Sequence, residues 1–222
     1  GADVGRWVRA ARQAARHAGR TLAMADLVAA IQGDSAPMQP DERRRTAVHE
    51  AGHAIAVCMG AHGAVDRVSI VGRGEAAGMT LLRLDGATTR QGLQQRLVAL
   101  LAGRAAEEVL LGEPSAGAGG GPGSDLARAT LLATAIETSL GFSDAGLIWL
   151  TPPEDRALSA LLVQDPALAR RVSAKLDTAY HEAVNLIGRH QRLVDRLAER
   201  LLADGYVEGA AVAAMVRHES CG

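Results

Sequence analysis

The sequence predicts a mostly α-helical domain carrying a small β-sheet beside its reactive helix. Three observations lead there. Aromatic residues make up only 2% of the 222 positions, so a core must be assembled from Leu, Ala, Val and Ile. Apolar residues recur at helical spacing over most of the chain. The alternating, Val- and Ile-rich stretches are short ones, at 64–71 and 78–84.

Taken in order, residues 3–19 place Val4, Trp7, Val8 and Ala11 on one helical face, with Gly19 as a stop. A second short helix covers 24–32. The run GDSAPMQP at 33–40 contains Gly, Asp, Ser and two prolines and reads as a linker, so a boundary is expected between a small helical piece at 1–33 and a main domain at 41–222. A helix then starts after Pro40 and runs to about Met59. Gly72-Arg73-Gly74 ends the strand at 64–71, and GMTLLRL at 78–84 supplies a second one. The helical period returns through Leu93, Leu97, Leu100, Leu101 and Ala105, giving a helix over 88–111. The glycine-rich run GEPSAGAGGGPG at 112–123 has to be a loop. Ser124 is suited to cap a helix reaching about Leu140. Beyond an irregular 141–146 and the apolar LIWL, helices are expected at 154–163, 166–189, 191–203 and 208–218, with Asp165-Pro166 opening the second of them. Trp149 is expected to pack against the domain.

Bulk properties narrow the function. The formal net charge is −1, which gives no reason to expect nucleic acid or an acidic membrane surface as partner. Cys58 and Cys221 are the two cysteines, far apart in sequence, so no disulfide framework follows and a reducing compartment is expected. There is no apolar run of about 18 residues or more to span a bilayer.

The strongest chemical signal is His49-Glu50-Ala51-Gly52-His53, an H-E-x-x-H motif. Residues four apart on a helix share a face, roughly 5–6 Å apart, so both imidazoles can reach one metal ion. Glu50 projects about a third of a turn from His49, near enough to hold a water at the metal without being a ligand. Two neutral nitrogens, a carboxylate and an open position suit zinc. Chance would supply on the order of 0.01 such motifs in a chain of this composition.

Zinc needs a third protein ligand. A third histidine in the extended H-E-x-x-H-x-x-G-x-x-H pattern is excluded, because those positions hold Ala56 and Met59. Glu75 lies 22 residues past His53 in a glycine-rich turn. Glu107 and Glu108 are adjacent acids on the next helix, a pattern more typical of solvated or salt-bridged groups. Asp125 opens the helix after the glycine loop, where a short carboxylate can be aimed at a fixed point, although an acid at a helix N-terminus also has a purely structural use. Pattern alone leaves Glu75 and Asp125 even.

AVHEAGHAIA (47–56), LLAGRAAEEVLLGE (100–113) and GSDLARAT (123–130), in this order, resemble the peptidase domain of the FtsH family of AAA ATP-dependent zinc metalloproteases. The likeness extends through VDRVSIVGRG (65–74), Gly78-Met79-Thr80 and Leu140-Gly141-Phe142-Ser143. Past residue 150 it rests on helical pattern and length. Residues 1–33 look like the last helices of the family's ATPase lid, with Gly1-Ala2-Asp3 matching a GAD that opens a lid helix. Two departures stand out: the loop before Asp125 is longer and richer in glycine than the family's short S-x-G-A-x-x-D, and the segment before the 88–111 helix looks trimmed. Neither removes a ligand.

The resemblance implies His49, His53 and Asp125 as zinc ligands and Glu50 as the general base of peptide hydrolysis. It further implies unfolded polypeptides as substrates, a homo-hexamer, and ATP used through a module outside this chain, which has no G-x-x-x-x-G-K-[ST] of its own. Membrane attachment through segments outside these residues, on the cytoplasmic side of the inner membrane, is implied as well. Two rival readings remain at this point: a stand-alone peptidase with Glu75 as third ligand, and a catalytically idle ring-assembly module whose helices from 154 onward hold a ring together.

Overall fold

The computed structural model describes residues 2–32, 38–60, 63–71, 78–84, 89–143, 146–150 and 155–219. Glu75, His62, Cys221, Gly1 and most of the expected linker lie outside the described residues. Nine helices and three strands are present among those described: α1 (Ala2–His17), α2 (Met24–Gln32), α3 (Pro40–Met59), β1 (Gly63–Ser69), β2 (Met79–Leu84), α4 (Arg90–Leu111), α5 (Asp125–Thr138), α6 (Asp155–Gln164), α7 (Pro166–Arg189), α8 (Gln191–Asp204), β3 (Tyr206–Glu208) and α9 (Gly209–Glu219). The fold is mostly α with one small antiparallel sheet, as expected.

Local chemistry accounts for where the site-bearing helices begin and end. Pro40 sits in the first turn of α3, where a missing N–H costs nothing, and Asp41 and Glu42 meet the positive end of the helix dipole. Thr89 caps α4 by accepting the Gly92 N–H at 3.1 Å, and Gly112 ends that helix at φ +86°, a conformation that suits glycine. Ser124 caps α5 through the Ala127 N–H, and Asp165 caps α7 through two N–H groups just beyond its side chain.

Helix α3 is the hub. It packs against α4, α8 and β1, and α4 in turn packs against α5 and α7. The core between these helices is aliphatic and dense: Ile55, Leu97, Ile187, Leu193, Leu197 and Leu201 are all fully buried. The α3–α4 contact is close because Gly52 faces Ala102 and Ala106; a Cβ at residue 52 would sit 2.6 Å from the Ala102 carbonyl oxygen. That proximity brings α4 side chains onto the His49–His53 face. Helices α1 and α2 pack on each other, through a side of α1 that buries Ala11 and Ala15.

The sheet has the order β2-β1-β3, both pairings antiparallel, with a register irregularity between Val65 and Arg67. β3, where Arg67, Val68 and Ser69 pair with Glu208, Val207 and Tyr206, was not expected from sequence. A 3₁₀ turn at Ala116–Ala118 interrupts the expected loop. Trp149 corrects another expectation: it is 68% exposed, in a run with exposed Leu147, Ile148 and Leu150. That segment is tied to the end of α5 by its backbone, through the Leu150 N–H to Thr138 and the Leu150 carbonyl to Ser139, so its side chains project outward.

Candidate metal centre

His49, Glu50 and His53 lie in the middle of α3, and Asp125 is the first residue of α5. One helical turn puts the two imidazoles side by side, ring centroids 4.8 Å apart and planes inclined by 76°. The Ser124 cap then sets the direction of Asp125. His49 Nε2 and His53 Nε2 are 3.1 Å apart, and Asp125 Oδ2 lies 3.2 Å from the first and 3.1 Å from the second. The structure therefore brings three of the sequence-predicted residues to one point.

Each histidine is held from behind. His53 Nδ1 donates to the Ala99 carbonyl at 2.7 Å, and a carbonyl can only accept, so the Nδ1–H tautomer is fixed and Nε2 turns its lone pair toward the shared point. His49 Nδ1 donates to Glu107 Oε1 at 2.8 Å. Glu107 is buried and clamped: its Oε2 accepts from Arg45 Nη1 at 2.9 Å and from the Ser115 N–H at 2.6 Å. Sequence reading passed over Glu107 as one of two adjacent acids. The available signal was its offset from Gly103 by four, which puts both on the face of α4 that meets α3.

The electrostatics favour a cation at the shared point. Burial works against a charged His49 imidazole, yet hydrogen bonds with Asp125 and Glu107 and the charges of Glu50 and Asp125 pull its pKa up to about 9. Burial likewise pushes the Asp125 carboxyl upward, but hydrogen bonds with His49 and His53 hold it well below the usual carboxylate range. For Glu107, bonds from His49, Ser115 and Arg45 outweigh burial and bring it down to about 2. Three carboxylates thus face two imidazoles.

The donor set fits a small tetrahedral metal. Ligand atoms about 2.0–2.1 Å from a tetrahedral centre stand roughly 3.3–3.4 Å apart, close to the three separations in this cluster. Room exists on the α4 side because residue 103 is glycine: a Cβ there would lie 2.6 Å from both Nε2 atoms. His49, His53 and Asp125 form the group able to hold a metal among the described residues.

Glu50 is buried beside this group. Thr80 Oγ1, from β2, donates to Glu50 Oε2 at 2.6 Å. Thr80 is a second residue whose contact with the site sequence reading did not foresee. Cys58 is half-buried near the end of α3, its thiol pushed up by burial, and it takes no part in the cluster.

Two histidines on one helix, a carboxylate delivered from another, and a buried glutamate beside them define a helical metallohydrolase-type centre. The model of peptidase family M41 matches residues 36–215. The chain belongs to peptidase family M41. The ATP-dependent zinc metalloprotease FtsH 2 of Symbiobacterium thermophilum is 40% identical over 179 residues, covering 76% of this chain and 30% of the relative. The ATP-dependent zinc metalloprotease FtsH of Thermotoga maritima is 32% identical over 232 aligned positions, covering 94% of this chain and 37% of the relative. FtsH 2 of Sphaerobacter thermophilus is 33% identical, covering 94% of this chain and 33% of its own length. The chain thus spans about a third of the length of these relatives.

Proposed function

We propose that this chain is the zinc-dependent endopeptidase domain of an ATP-dependent, membrane-associated protease, hydrolysing peptide bonds of unfolded proteins. His49, His53 and Asp125 hold the zinc, and Glu50 is the general base. The observation that carries the reading is the convergence of His49 Nε2, His53 Nε2 and Asp125 Oδ2 within 3.2 Å of one another. Zinc in such a donor set supplies a Lewis acid that lowers the pKa of water toward neutrality and polarises a carbonyl. Glu50 takes the proton from the attacking water and passes it to the leaving amine. Glu107 and the Ala99 carbonyl keep the two imidazoles in the tautomer that leaves Nε2 free to coordinate.

Substrate reaches the centre as an extended chain along β2. Among the described residues this strand is at the edge of the sheet, with β1 on one side only, and Met79 and Leu81 on it are exposed. Backbone pairing there gives affinity with little dependence on side chains, which suits unfolded polypeptides of varied sequence. Helices α1 and α2 are the C-terminal helices of an AAA-type lid subdomain, joined by a linker at 34–40 to the peptidase domain at 41–222; the family match beginning at residue 36 supports that division. The ATP-driven module, the membrane segments and the homo-hexameric ring belong to the larger protein, working on the cytoplasmic side of the inner membrane. Among the described residues, no helix is long and apolar enough to cross a membrane.

The test pairs metal analysis with hydrolysis of an unfolded protein such as casein. Glu50→Gln should abolish cleavage and keep zinc, whereas His49→Ala, His53→Ala and Asp125→Ala should lose the metal. Turnover by Glu50→Gln at the normal rate would refute the mechanism. Full zinc occupancy in Asp125→Ala would return the third-ligand role to a residue such as Glu75. Finding neither metal nor cleavage in the wild type would leave the idle ring-assembly module.

A further inference from the structure

A general base has to present one carboxylate oxygen to the reacting water in a fixed direction. A glutamate side chain, with three rotatable bonds, does not do this unaided. In this chain the restraint on Glu50 comes from a segment 30 residues away. Thr80 Oγ1 donates to Glu50 Oε2 at 2.6 Å, within the length range of a hydroxyl bound to an ionised carboxylate. The same hydroxyl is 3.3 Å from the Glu50 backbone carbonyl, a longer approach that leaves the carboxylate as its main acceptor.

The strand is shaped to make this contact. Alternation along β2 turns Met79 and Leu81 outward and Thr80 inward, onto α3. Gly78 completes the enclosure: a Cβ there would lie 2.7 Å from Glu50 Oε1, 2.8 Å from Glu50 Cγ and 2.8 Å from Thr46 Cγ2. Only a residue without a side chain lets the strand pass this close. The contrast with Glu107 is informative. Glu107 is gripped by a guanidinium and a backbone N–H besides His49, which suits a carboxylate that stays put and stays charged. Thr80 is a single neutral donor on one oxygen of Glu50, so it fixes the direction of the carboxylate without gripping both oxygens.

We infer that Thr80 is a positioning residue for Glu50: its hydroxyl holds Oε2 and thereby aims Oε1 at the reacting water, tying the base to the edge strand along which substrate lies. This rests on the reading of Glu50 as general base given above. Because the hydroxyl comes from β2 itself, a substrate strand that pairs with β2 is placed in register with the base by the same segment of backbone.

The experiment compares Thr80→Val, which removes the hydroxyl at nearly constant volume, with Thr80→Ser, which keeps it. Both are made in the full 222-residue chain and assayed on a quenched fluorogenic peptide, alongside Glu50→Gln, zinc content and thermal midpoint. The expected result for Thr80→Val is a fall in kcat on the order of ten- to a hundredfold, KM within about twofold because strand pairing uses backbone, and unchanged zinc. Thr80→Ser should recover most of the loss. Wild-type kcat in Thr80→Val, with Glu50→Gln inactive, overturns the role of Thr80 alone. Equal losses in Val and Ser variants, accompanied by lost zinc or a lowered midpoint, overturn it in favour of a purely structural contact. Normal turnover by Glu50→Gln defeats the underlying reading instead.

Discussion

Adding one methyl group at residue 103 is the sharpest perturbation the metal centre offers. Gly103 lies on α4 against the Nε2 edges of the two imidazoles, and a Cβ there would be 2.6 Å from His49 Nε2, 2.6 Å from His53 Nε2 and 2.7 Å from His49 Cδ2. Ordinary contacts of this kind are about 3.5–4.0 Å, so the rings or α4 must retreat by about 1 Å. The rings have little freedom to do so, being hydrogen-bonded from behind by Glu107 at 2.8 Å and by the Ala99 carbonyl at 2.7 Å. Zinc tolerates only about 0.2 Å of error in its ligand distances. Gly103→Ala should therefore lower zinc affinity by at least about a hundredfold, comparable to the upper range for disturbing groups that orient metal ligands. Stability of the metal-free protein should fall by at most about 2 kcal/mol, because helix propensity favours alanine by about 1 kcal/mol while overpacking costs about 1–3 kcal/mol. Chelator competition measures the first quantity and urea denaturation in excess chelator the second. Wild-type zinc affinity in Gly103→Ala would show that the metal is not held between these two nitrogens.

Glu107→Gln should weaken zinc binding by about ten- to a hundredfold, since an amide that accepts from His49 must turn its NH₂ toward the donors on Arg45 and Ser115; chelator competition reads this, and an unchanged affinity counts against the orienting role. Stability should also depend on Glu137. Burial would raise its carboxyl, but hydrogen bonds from Lys175, Ser143 and Arg171 outweigh that and hold it below its ordinary value. A carboxyl depressed in the folded state stabilises above its unfolded pKa, about 4.3, and this contribution disappears as pH falls through the folded pKa. The urea midpoint of wild type should thus exceed that of Glu137→Gln at pH 7 and approach it below about pH 4; a gap independent of pH contradicts the assignment. Trp149→Ser should shift unfolding by no more than about 0.5 kcal/mol, because the ring is already exposed; a loss of several-fold that size would mean the side chain packs after all.

What could be read from sequence and what could not divides by range. Helix limits were legible because they are set by neighbours in the chain: Pro40, Ser124 with its cap to Ala127, and Asp165-Pro166 each mark a boundary the structure reproduces closely. β3 was not legible, because Tyr206-Val207-Glu208 is too short a run to show a strand period; it is extended because Arg67, Val68 and Ser69, some 140 residues earlier, offer it a free edge. Glu107 and Glu108 illustrate the same limit. They are identical in type and adjacent, yet one is buried against His49 while the other meets the Tyr180 hydroxyl, and only the crossing of α3 over α4 separates them. Trp149 reversed its expectation because backbone bonds at the end of α5 turned a run of apolar residues outward.

The sequence by itself determined the chemistry on offer: two imidazoles one turn apart, a glutamate between them, and a class of fold in which helices predominate. Those follow from i,i+4 geometry and from periodicity, which act over a few residues. Tertiary structure decided which distant groups gather around them. The Asp125 carboxylate, the Glu107 anchor, the Thr80 hydroxyl and the gap at Gly103 come from three separate elements. They meet on α3 because Gly52 lets α4 approach and because the aliphatic core packs α4 and α8 against α3.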